Sequence, residues 1–264
     1  GSGTGASFAS NVNAGSRTVE YTGLAGTLSN NNYKIVDTQY GTGTITRRRI
    51  DPSGFQVHNS DGTVANATKV YDGNTNADAA QFSATLGNIV AGEEGRVTAT
   101  ASGATYNDKN VAGANKVSYT GVALGGTGAG NYSLAATTAQ GAGRITPKQL
   151  NLALAGGARF DKTYDGNVNA NVTQTLTKGT HYTLTGFVGT EGTGIELGSA
   201  TGKYTDKNAG ADKNVRFDGL RLTGAGAGNY VLEQTTLTGT GTITPRALTL
   251  GAVEAQTKTY DGNT

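Results

Sequence analysis

The stretch Lys213–Leu222, KNVRFDGLRL, alternates apolar and polar residues and then changes phase at a glycine. Val215 and Phe217 alternate with polar residues before the glycine, and Leu220 and Leu222 do so after it. A period of two is typical of a β-strand with one buried face. One extra residue at a glycine keeps the apolar side chains on the same face on both sides, which indicates a β-bulge. The stretch therefore predicts β-structure.

The same change of phase occurs in KVSYTGVAL at Lys116–Leu124 and in TVEYTGLAG at Thr18–Gly26. Other motifs recur in a fixed order, at a period of about 97 residues. These motifs are Lys-x-Tyr-Asp-Gly-Asn at Tyr71, Tyr164 and Tyr260, Asp-Lys-Asn at Asp108 and Asp206, Asn-Tyr at Tyr33, Tyr132 and Tyr230, and Gly-x-Gly-x-Ile-Thr at Ile45, Ile145 and Ile243. Such a period is too long for a one-hairpin solenoid repeat and indicates an autonomous domain.

The motifs divide the chain into four parts, which we call repeats 1 to 4. Repeat 1, residues 1–47, is the C-terminal part of a repeat, and repeat 4, residues 246–264, is the start of a further one. Repeat 2, residues 48–147, and repeat 3, residues 148–245, are complete. We expect the chain to be an internal fragment of a longer array, because it lacks an initiator Met and stops within a motif.

Each complete repeat has roughly seven short strand candidates with turn residues between them, and no convincing amphipathic helix. In repeat 3 the candidates include residues 150–154, 159–164, 181–187, 230–233 and 239–244. This pattern predicts an all-β fold of tandem small antiparallel β-sandwich-like domains. The last strand is rich in glycine and leaves one face without side chains. We expect a neighbouring tyrosine ring to cover that face, with Tyr230 as the candidate.

Each complete repeat is joined to the next repeat across a single proline, in ITPKQ at Pro147 and ITPRA at Pro245. Proline fixes its own φ and biases the preceding residue toward an extended conformation. Because no Gly/Ser linker intervenes, we expect the domains to lie end to end as an elongated, semi-rigid rod.

The composition excludes several classes of function. Gly makes up 42 of 264 residues and the net charge is only +2, so the chain reads as a folded, turn-rich β protein without the basic surface that nucleic acid requires. There is no Cys, which excludes disulfides, thiol catalysis and Cys-ligated zinc. No apolar run is long enough for membrane insertion. The one basic run, Arg47–Arg49, is expected to be an exposed junction.

The Lys-x-Tyr-Asp-Gly-Asn motif has two interpretations. Asp-Gly between strand-like runs predicts a hairpin turn in which both central residues have positive φ. The alternative is a calcium or glycan ligand at Asp72, Asp165 and Asp261, with Asp108 and Asp206 approaching in space. Calcium takes six to eight oxygen ligands, and each motif supplies one clear carboxylate. The expectation is therefore no cofactor, with calcium kept as an alternative.

Other polar residues give little support for catalysis. His58 and His181 stand at different places in their repeats and form no shared site. Glu93-Glu94 and Glu191 lie in Gly-rich loops and are expected to be solvated. GGTGAGNY resembles a phosphate-binding loop, but a strand and no helix comes after it. We expect no enzymatic activity.

Taken together, K-x-YDGN, DKN-x-G, GAGNY and ITP-K/R resemble the YDG/MBG-type repeats of giant bacterial adhesins, many of which are similar to filamentous haemagglutinin and are exported by two-partner secretion. The resemblance covers both complete repeats and both partial ones, and it offers no catalytic residues. It implies a stalk between an exported β-helical head and a membrane anchor, at a Gram-negative cell surface or in a biofilm matrix. The first junction departs from the pattern, because Arg47 stands where proline stands later and Pro52 is displaced.

We therefore expect non-catalytic stalk or spacer repeats of a secreted adhesin, associated with the outer membrane or the extracellular matrix. The parent adhesin would bind host or matrix glycans or proteins. In the alternative, the repeats themselves bind polysaccharide through exposed tyrosines, although the motif tyrosines alternate with polar residues as core residues do. Exposed strand edges in repeats 1 and 4 also predict end-to-end self-association.

Overall fold

The computed structural model of the chain describes residues 5–8, 12–24, 32–33, 38–50, 55–58, 66–170, 176–254 and 256–264. It divides into two compact units, Gly1–Thr146 and Pro147–Thr264. The first unit contains repeats 1 and 2, and the second contains repeat 3 and the C-terminal segment. The sequence boundaries of the four repeats remain predictions.

The first unit is built from short strands. Those of repeat 1 are β1 Gly5–Phe8, β2 Gly15–Thr22 and β3 Gln39–Ile45. Those of repeat 2 are β4 Arg48–Ile50, β5 Phe55–His58, β6 Asn66–Val70, β7 Ser83–Leu86, β8 Thr98–Thr100, β9 Gly103–Tyr106, β10 Lys116–Thr120, β11 Ala123–Gly125, β12 Tyr132–Leu134 and β13 Thr138–Thr146.

The second unit repeats this pattern. Its strands are β14 Lys148–Leu154, β15 Lys162–Thr163, β16 Tyr182–Thr185, β17 Glu196–Leu197, β18 Gly202–Tyr204, β19 Gly210–Phe217, β20 Leu222–Thr223, β21 Tyr230–Leu232 and β22 Leu237–Thr244. The helical content of the described residues is four 3-10 turns, at Ala79–Gln81, Glu94–Arg96, Ala129–Asn131 and Ala227–Asn229. The all-β prediction is confirmed.

The main sheet of each complete repeat has four strands in the same order. Repeat 2 has β6-β13-β10-β9 and repeat 3 has β15-β22-β19-β18. The sheets are mixed, not purely antiparallel as expected, because β6 runs parallel to β13 and β15 runs parallel to β22. A parallel pair needs a long connection, and here it consists of most of the repeat. The start of each repeat is thus held against its end.

A short segment bridges the two outer edges of each main sheet. In repeat 2, β6 forms one edge, and five residues beyond it Thr75 accepts a hydrogen bond at 2.8 Å from the backbone N–H of Tyr106 at the opposite edge. In repeat 3, Val168 accepts the corresponding bond from Tyr204 at 2.8 Å. Each sheet therefore coils into a small ring that the Lys-x-Tyr-Asp-Gly-Asn segment closes.

The glycine at the change of phase has a left-handed conformation, with φ of 61° at Gly121 and 65° at Gly219. Strand β10 ends just before Gly121, and the next backbone N–H, that of Val122, still donates to Thr137 O at 2.9 Å. Beyond it, β11 pairs with β8 in a second sheet. The extra residue predicted as a bulge thus also marks where the chain leaves one sheet for another.

The glycines of the last strand allow close packing against it. A Cβ on Gly239 would lie 2.6 Å from the ring of Phe160, and one on Gly241 would lie 2.7 Å from the hydroxyl of Tyr204. A tyrosine lies against this face, as expected, but it is Tyr204 and not Tyr230. The residues that cover this face are Phe160 and Tyr204, which lie over the last strand because the sheet closes on itself.

The first junction differs from the second in the strand that comes after it. In repeat 3 the continuous strand β14 pairs with both β16 and β21. In repeat 2 the described parts of the corresponding segment are β4, which pairs with β12, and β5, which pairs with β7. The displaced Pro52 lies between them, outside the described residues.

The two partial repeats carry complementary parts of this architecture. Repeat 1 contributes the three-stranded sheet β1-β2-β3, which corresponds to β9, β10 and β13 of repeat 2. The described part of repeat 4 contains no strand, and its apolar side chains are exposed, with Leu248 at 90% and Tyr260 at 94%.

Candidate functional site

The Lys-x-Tyr-Asp-Gly-Asn motif forms a turn centred on the ammonium group of its lysine. In repeat 3, Lys162 Nζ donates to Asp165 Oδ1 at 2.7 Å, to the backbone oxygens of Asn167 and Asn169 at 2.8 and 2.9 Å, and to Asn167 Oδ1 at 3.3 Å. The same nitrogen lies 5.6 Å from the ring centre of Tyr204, close enough for a cation–π interaction. An oxygen set that could hold a cation is thus filled by the protein's own ammonium group.

Repeat 2 has the same arrangement. Lys69 Nζ donates to Asp72 Oδ1 at 2.7 Å and to the backbone and side-chain oxygens of Asn74 at 2.9 and 3.0 Å. It lies 5.4 Å from the ring centre of Tyr106. The Tyr106 hydroxyl in turn donates to the backbone oxygen of Ala67 at 2.8 Å, which ties β9 to β6 across the ring. We call Lys69–Asn74 and Lys162–Asn167 the closing turns.

The turn itself is a product of local side-chain chemistry. Asp165 Oδ1 accepts the backbone N–H of Asn167 at 3.0 Å, and Asn167 Oδ1 accepts that of Asn169 at 2.9 Å. Asp and Asn form such turns readily because their side chains reach the backbone two residues on. Gly166 supplies the left-handed conformation, with φ of 82°.

The hairpin prediction is wrong in its geometry. Among the described residues, Asn88 and Asp212 are the non-glycine residues with positive φ, so the aspartates of the motif lack the conformation that a type I′ hairpin requires. The segment passes from one edge of the ring to the other and does not join two adjacent antiparallel strands.

The ammonium group keeps the motif carboxylates charged. The hydrogen bond from Lys162, together with the backbone N–H of Asn167, lowers the pKa of Asp165 below its ordinary value of 3.8. At Asp72, burial acts to raise the pKa, but the hydrogen bonds from Lys69 and Asn74 outweigh it and the pKa is lowered.

The other calcium candidates also have partners of their own. Asp108 Oδ1 accepts from the backbone and side-chain nitrogens of Asn110 at 2.8 and 3.0 Å. Asp206 Oδ1 accepts from Lys213 Nζ at 2.5 Å and from the backbone N–H of Asn208 at 2.8 Å. Within the described ranges, no three acidic or histidine side chains gather as a metal site. Calcium binding stays a prediction that these contacts do not favour.

Two tyrosine–glutamate pairs were not foreseen from the sequence. The Tyr132 hydroxyl donates to Glu93 Oε2 at 2.5 Å and accepts from Val90 N at 3.1 Å. The Tyr230 hydroxyl donates to Glu191 Oε2 at 2.6 Å. Glu93 and Glu191 are therefore half-buried and hydrogen-bonded, not fully solvated as expected, whereas Glu94 is exposed as expected.

Burial, reinforced by the hydrogen bond to the carboxylate, raises the pKa of Tyr132 and Tyr230 above its ordinary value of 10.0. The missed signal was a Val-x-x-Glu spacing that recurs with the repeat period, in VAGE from Val90 and VGTE from Val188. Each pair joins a loop to the tyrosine that ends the GAGNY motif and begins strand β12 or β21.

Repeats 1 and 2 meet within the first unit at an asparagine of that motif. Asn131 Oδ1 accepts from the backbone N–H of Ala14, and Asn131 Nδ2 donates to Asn13 Oδ1, each at 2.8 Å. A cleft of about 490 Å³ lies beside this contact, and the residues lining it include Val12, Arg47, Arg48, Glu93, Asn131 and Tyr132. The amide thus ties one repeat to the next through both its donor and its acceptor.

The remaining candidates have structural partners or lie apart. His181 stacks on Phe160 with ring centres 5.4 Å apart, and its Nδ1 accepts from Thr177 N at 3.0 Å. His58 lies in β5 of the other unit. Arg47 to Arg49 are exposed, as expected.

A comparison with protein-family models finds the family described as the YDG domain twice, at residues 57–139 and 146–237. No curated protein matches the chain, and no solved structure does. Of the described helices, none has the length and apolar character to cross a membrane.

Proposed function

The chain belongs to the YDG domain family, and on that premise we propose that its repeats are non-catalytic spacers in the stalk of a secreted bacterial surface or biofilm-matrix adhesin. The stalk places a separate binding region of the parent protein away from the cell. That region, and not the repeats, would contact host or matrix glycans or proteins. The proposed location is the outer membrane surface or the extracellular matrix.

The observation that carries the proposal is the joint between repeats 1 and 2. Asn131 binds Asn13 and Ala14 across it with two hydrogen bonds. The connection is also short, because β3 ends at Ile45 and β4 begins at Arg48. Two connecting residues and a bidentate amide limit the orientations that one repeat can take on the other. Repetition of such joints would give an elongated, semi-rigid rod.

The contacts of the recurring motif residues support a structural role. The closing-turn lysines bind oxygens of their own turn, and the Tyr132 and Tyr230 hydroxyls bind glutamates of their own repeat. These groups are therefore engaged in holding the repeat together. A catalytic site would need polar side chains directed at a cavity and free to act on a substrate.

The glycan-binding alternative needs exposed tyrosine faces. The motif tyrosines in the complete repeats are mostly buried, with Tyr71 at 2% exposed, Tyr132 at 3% and Tyr230 at 5%. Their rings cannot stack on a sugar without unfolding the repeat. The strongly exposed tyrosines are instead Tyr33 at 72%, Tyr40 at 68% and Tyr260 at 94%, all in the partial repeats, so the alternative would have to rest on those residues.

Small-angle X-ray scattering on the 264-residue chain tests the rod. A compact particle of this length has a radius of gyration of roughly 18 Å. Domains in a line about 100 Å long, estimated from the rise per strand residue, give about 30 Å. A value near 18 Å would overturn the proposal. The same measurement with calcium added separates joints stiffened by that ion from joints that hold without it.

A further inference from the structure

The last strand of each complete repeat is a central strand of its main sheet. In repeat 2 the order β6-β13-β10-β9 places β13, which comes last in the chain, between β6, which comes first, and β10. In repeat 3, β22 lies between β15 and β19 in the same way. Among the described residues, β6 and β15 each pair with this last strand and with no other strand. The first strand of each main sheet therefore has no strand partner until the final residues of its repeat are present.

The last strand also provides the pairing that holds the rest of the main sheet. In repeat 2, β13 pairs with β6 through Ala142–Thr146 and with β10 through Thr138–Ala142. Without β13, the pairing that remains in the main sheet is that of β9 with β10. An isolated pair of strands is marginally stable at best in water. The three strands that precede β13 therefore do not form a stable sheet by themselves.

The core of the repeat depends on the last strand as well. Ile145 of β13 is buried, and a Cβ on Gly143 would lie 2.7 Å from the Val117 side chain and 3.1 Å from the Tyr106 ring. The backbone of β13 thus covers side chains of both β9 and β10. Burial of apolar surface is the dominant favourable contribution to folding, and the earlier strands lack this part of it until β13 is present.

The contacts of the closing turn are local by comparison. Lys69 binds Asp72 and Asn74, which lie within five residues of it. Such a turn needs no distant partner, but an exposed ion pair contributes less than about 1 kcal/mol. The pairing of β6 with β13 instead joins residues more than 70 positions apart, and it carries the entropic cost of closing that loop. The closing turn alone therefore cannot hold the repeat folded.

We propose that each complete repeat stays unfolded until its last strand is available, and that the arrival of this strand switches the whole repeat to the folded state. During synthesis the chain appears from its N terminus, so β6, β9 and β10 precede β13. When β13 arrives it pairs with β6 and β10 together and completes the core. The inference rests on the topology of the complete repeats and not on the proposed stalk function.

The switch has a consequence for any process that delivers the chain from its N terminus. An incomplete repeat remains an extended chain that can pass through a narrow pore, and a complete repeat folds as soon as its last strand is clear. Repeats of an array then fold one after another, because each depends on a strand of its own. Partly folded repeats with exposed sheet edges, which promote aggregation, are thereby avoided.

Ribosome-bound chains of increasing length test the proposal, because they present the protein as it emerges. Each chain is followed by an unstructured linker that carries its last residue clear of the ribosome, and a brief protease pulse measures cleavage within repeat 2. Chains that end at Thr137, before β13, should be cut at least about tenfold faster than chains that end at Pro147. Comparable cleavage of the two chains would overturn the proposal.

Two substitutions in the chain that ends at Pro147 separate the packing of β13 from chain length. Ile145→Asp places a charge at a buried position and should restore the fast cleavage of the shorter chain. Arg144→Asp is the control, since this neighbouring position is exposed, and its cleavage should stay slow. Equal cleavage of the two variants would contradict the proposal.

Refolding of the complete 264-residue chain provides an independent readout. Pulsed hydrogen exchange should show the amides of β9 and β10 gaining protection at the same rate as those of β13, within about twofold. In repeat 3, β18 and β19 should likewise gain protection together with β22. If either earlier pair were protected at least about tenfold faster than its last strand, that pair would be stable alone and the proposal would be wrong.

Discussion

The hexapeptide KTYDGN occurs twice, in repeat 3 at Lys162–Asn167 and near the C terminus at Lys258–Asn263, with different outcomes. Both copies form the lysine–aspartate ion pair, at 2.7 and 2.8 Å. Both have a left-handed glycine, with φ of 82° and 74°. In repeat 3 the first two residues are a strand paired with β22, whereas the C-terminal copy has no strand among its described residues.

The difference separates what the motif encodes from what the repeat adds. The turn forms wherever the sequence occurs, because its hydrogen bonds lie within a few residues. The strand and the burial of the tyrosine require the edge of a last strand such as β13 or β22. The motif can therefore adopt its turn conformation while the strand that precedes the turn stays unpaired.

The largest expected effect comes from the tyrosines of the two settings. Tyr71→Ala should destabilise repeat 2 by about 4 kcal/mol, because it removes a buried aromatic ring. Tyr260→Ala should change stability by less than about 0.5 kcal/mol in dilute solution, because that side chain is exposed. Denaturant unfolding followed by hydrogen exchange in each repeat measures both. Similar losses for the two variants would show that the C-terminal tyrosine is also packed.

A slightly smaller effect is expected from the glycines. A Cβ on Gly241 would meet Phe160 O at 2.3 Å, so Gly241→Ala should cost repeat 3 about 3 kcal/mol through overpacking. At Gly251, in repeat 4, nothing lies within 4 Å of an added Cβ. Gly251→Ala is therefore the control and should be neutral in the same unfolding measurement. If Gly241→Ala left the free energy of unfolding unchanged, the main sheet of repeat 3 would not be tightly closed.

Alkaline pH should destabilise the closed main sheet of repeat 2. Burial raises the pKa of Tyr106 from 10.0 to about 12. A raised pKa stabilises the fold below the unfolded-state value, and this stability is lost as pH rises from 10.0 to about 12. The shift corresponds to roughly 2–3 kcal/mol. Denaturant unfolding at several pH values measures the loss, and repeat 2 of a Tyr106→Phe variant should lose less stability over the same interval. An equal loss would assign the sensitivity to other groups.

The smallest expected effect concerns the lysines. The Lys162 side chain is 10% exposed and that of Lys258 is 50% exposed. Lys162→Met should destabilise repeat 3 by roughly 1–2 kcal/mol, because it leaves charge-assisted hydrogen bonds unmade. Lys258→Met should have almost no effect, as is usual for exposed ion pairs. A comparable loss at both positions would mean that the local turn, and not the closed ring, uses the ammonium group.

Much of the fold can be predicted from the sequence because its cause is local. The alternation in KNVRFDGLRL predicts a strand with Val215 and Phe217 on its buried face. The structure has strand β19 there, and both side chains are buried. It is harder to predict which strand a given strand pairs with. Asp-Gly indicates a hairpin when the next strand is adjacent, but β6 pairs with β13, which lies more than 70 residues later.

The candidate site was predicted only in outline. The motif aspartates were recognised as turn residues, but the lysine at the centre was not, because most of its acceptors are backbone and amide oxygens that residue types do not reveal. The tyrosine partners of Glu93 and Glu191 were not predicted, since a glutamate in a Gly-rich loop is usually solvated. Their spacing relative to Tyr132 and Tyr230 carried the information, and it becomes visible only when the two repeats are aligned.

The parallel pairing of β6 with β13 determines how repeat 2 responds to tension. Strand β6 lies near the start of the repeat and β13 ends it, with Asn66–Val70 in register with Ala142–Thr146. When the two ends of the repeat are pulled apart, these strands slide along each other in shear. The hydrogen bonds between them then share the load, whereas a pair opened from one end would lose its bonds one after another.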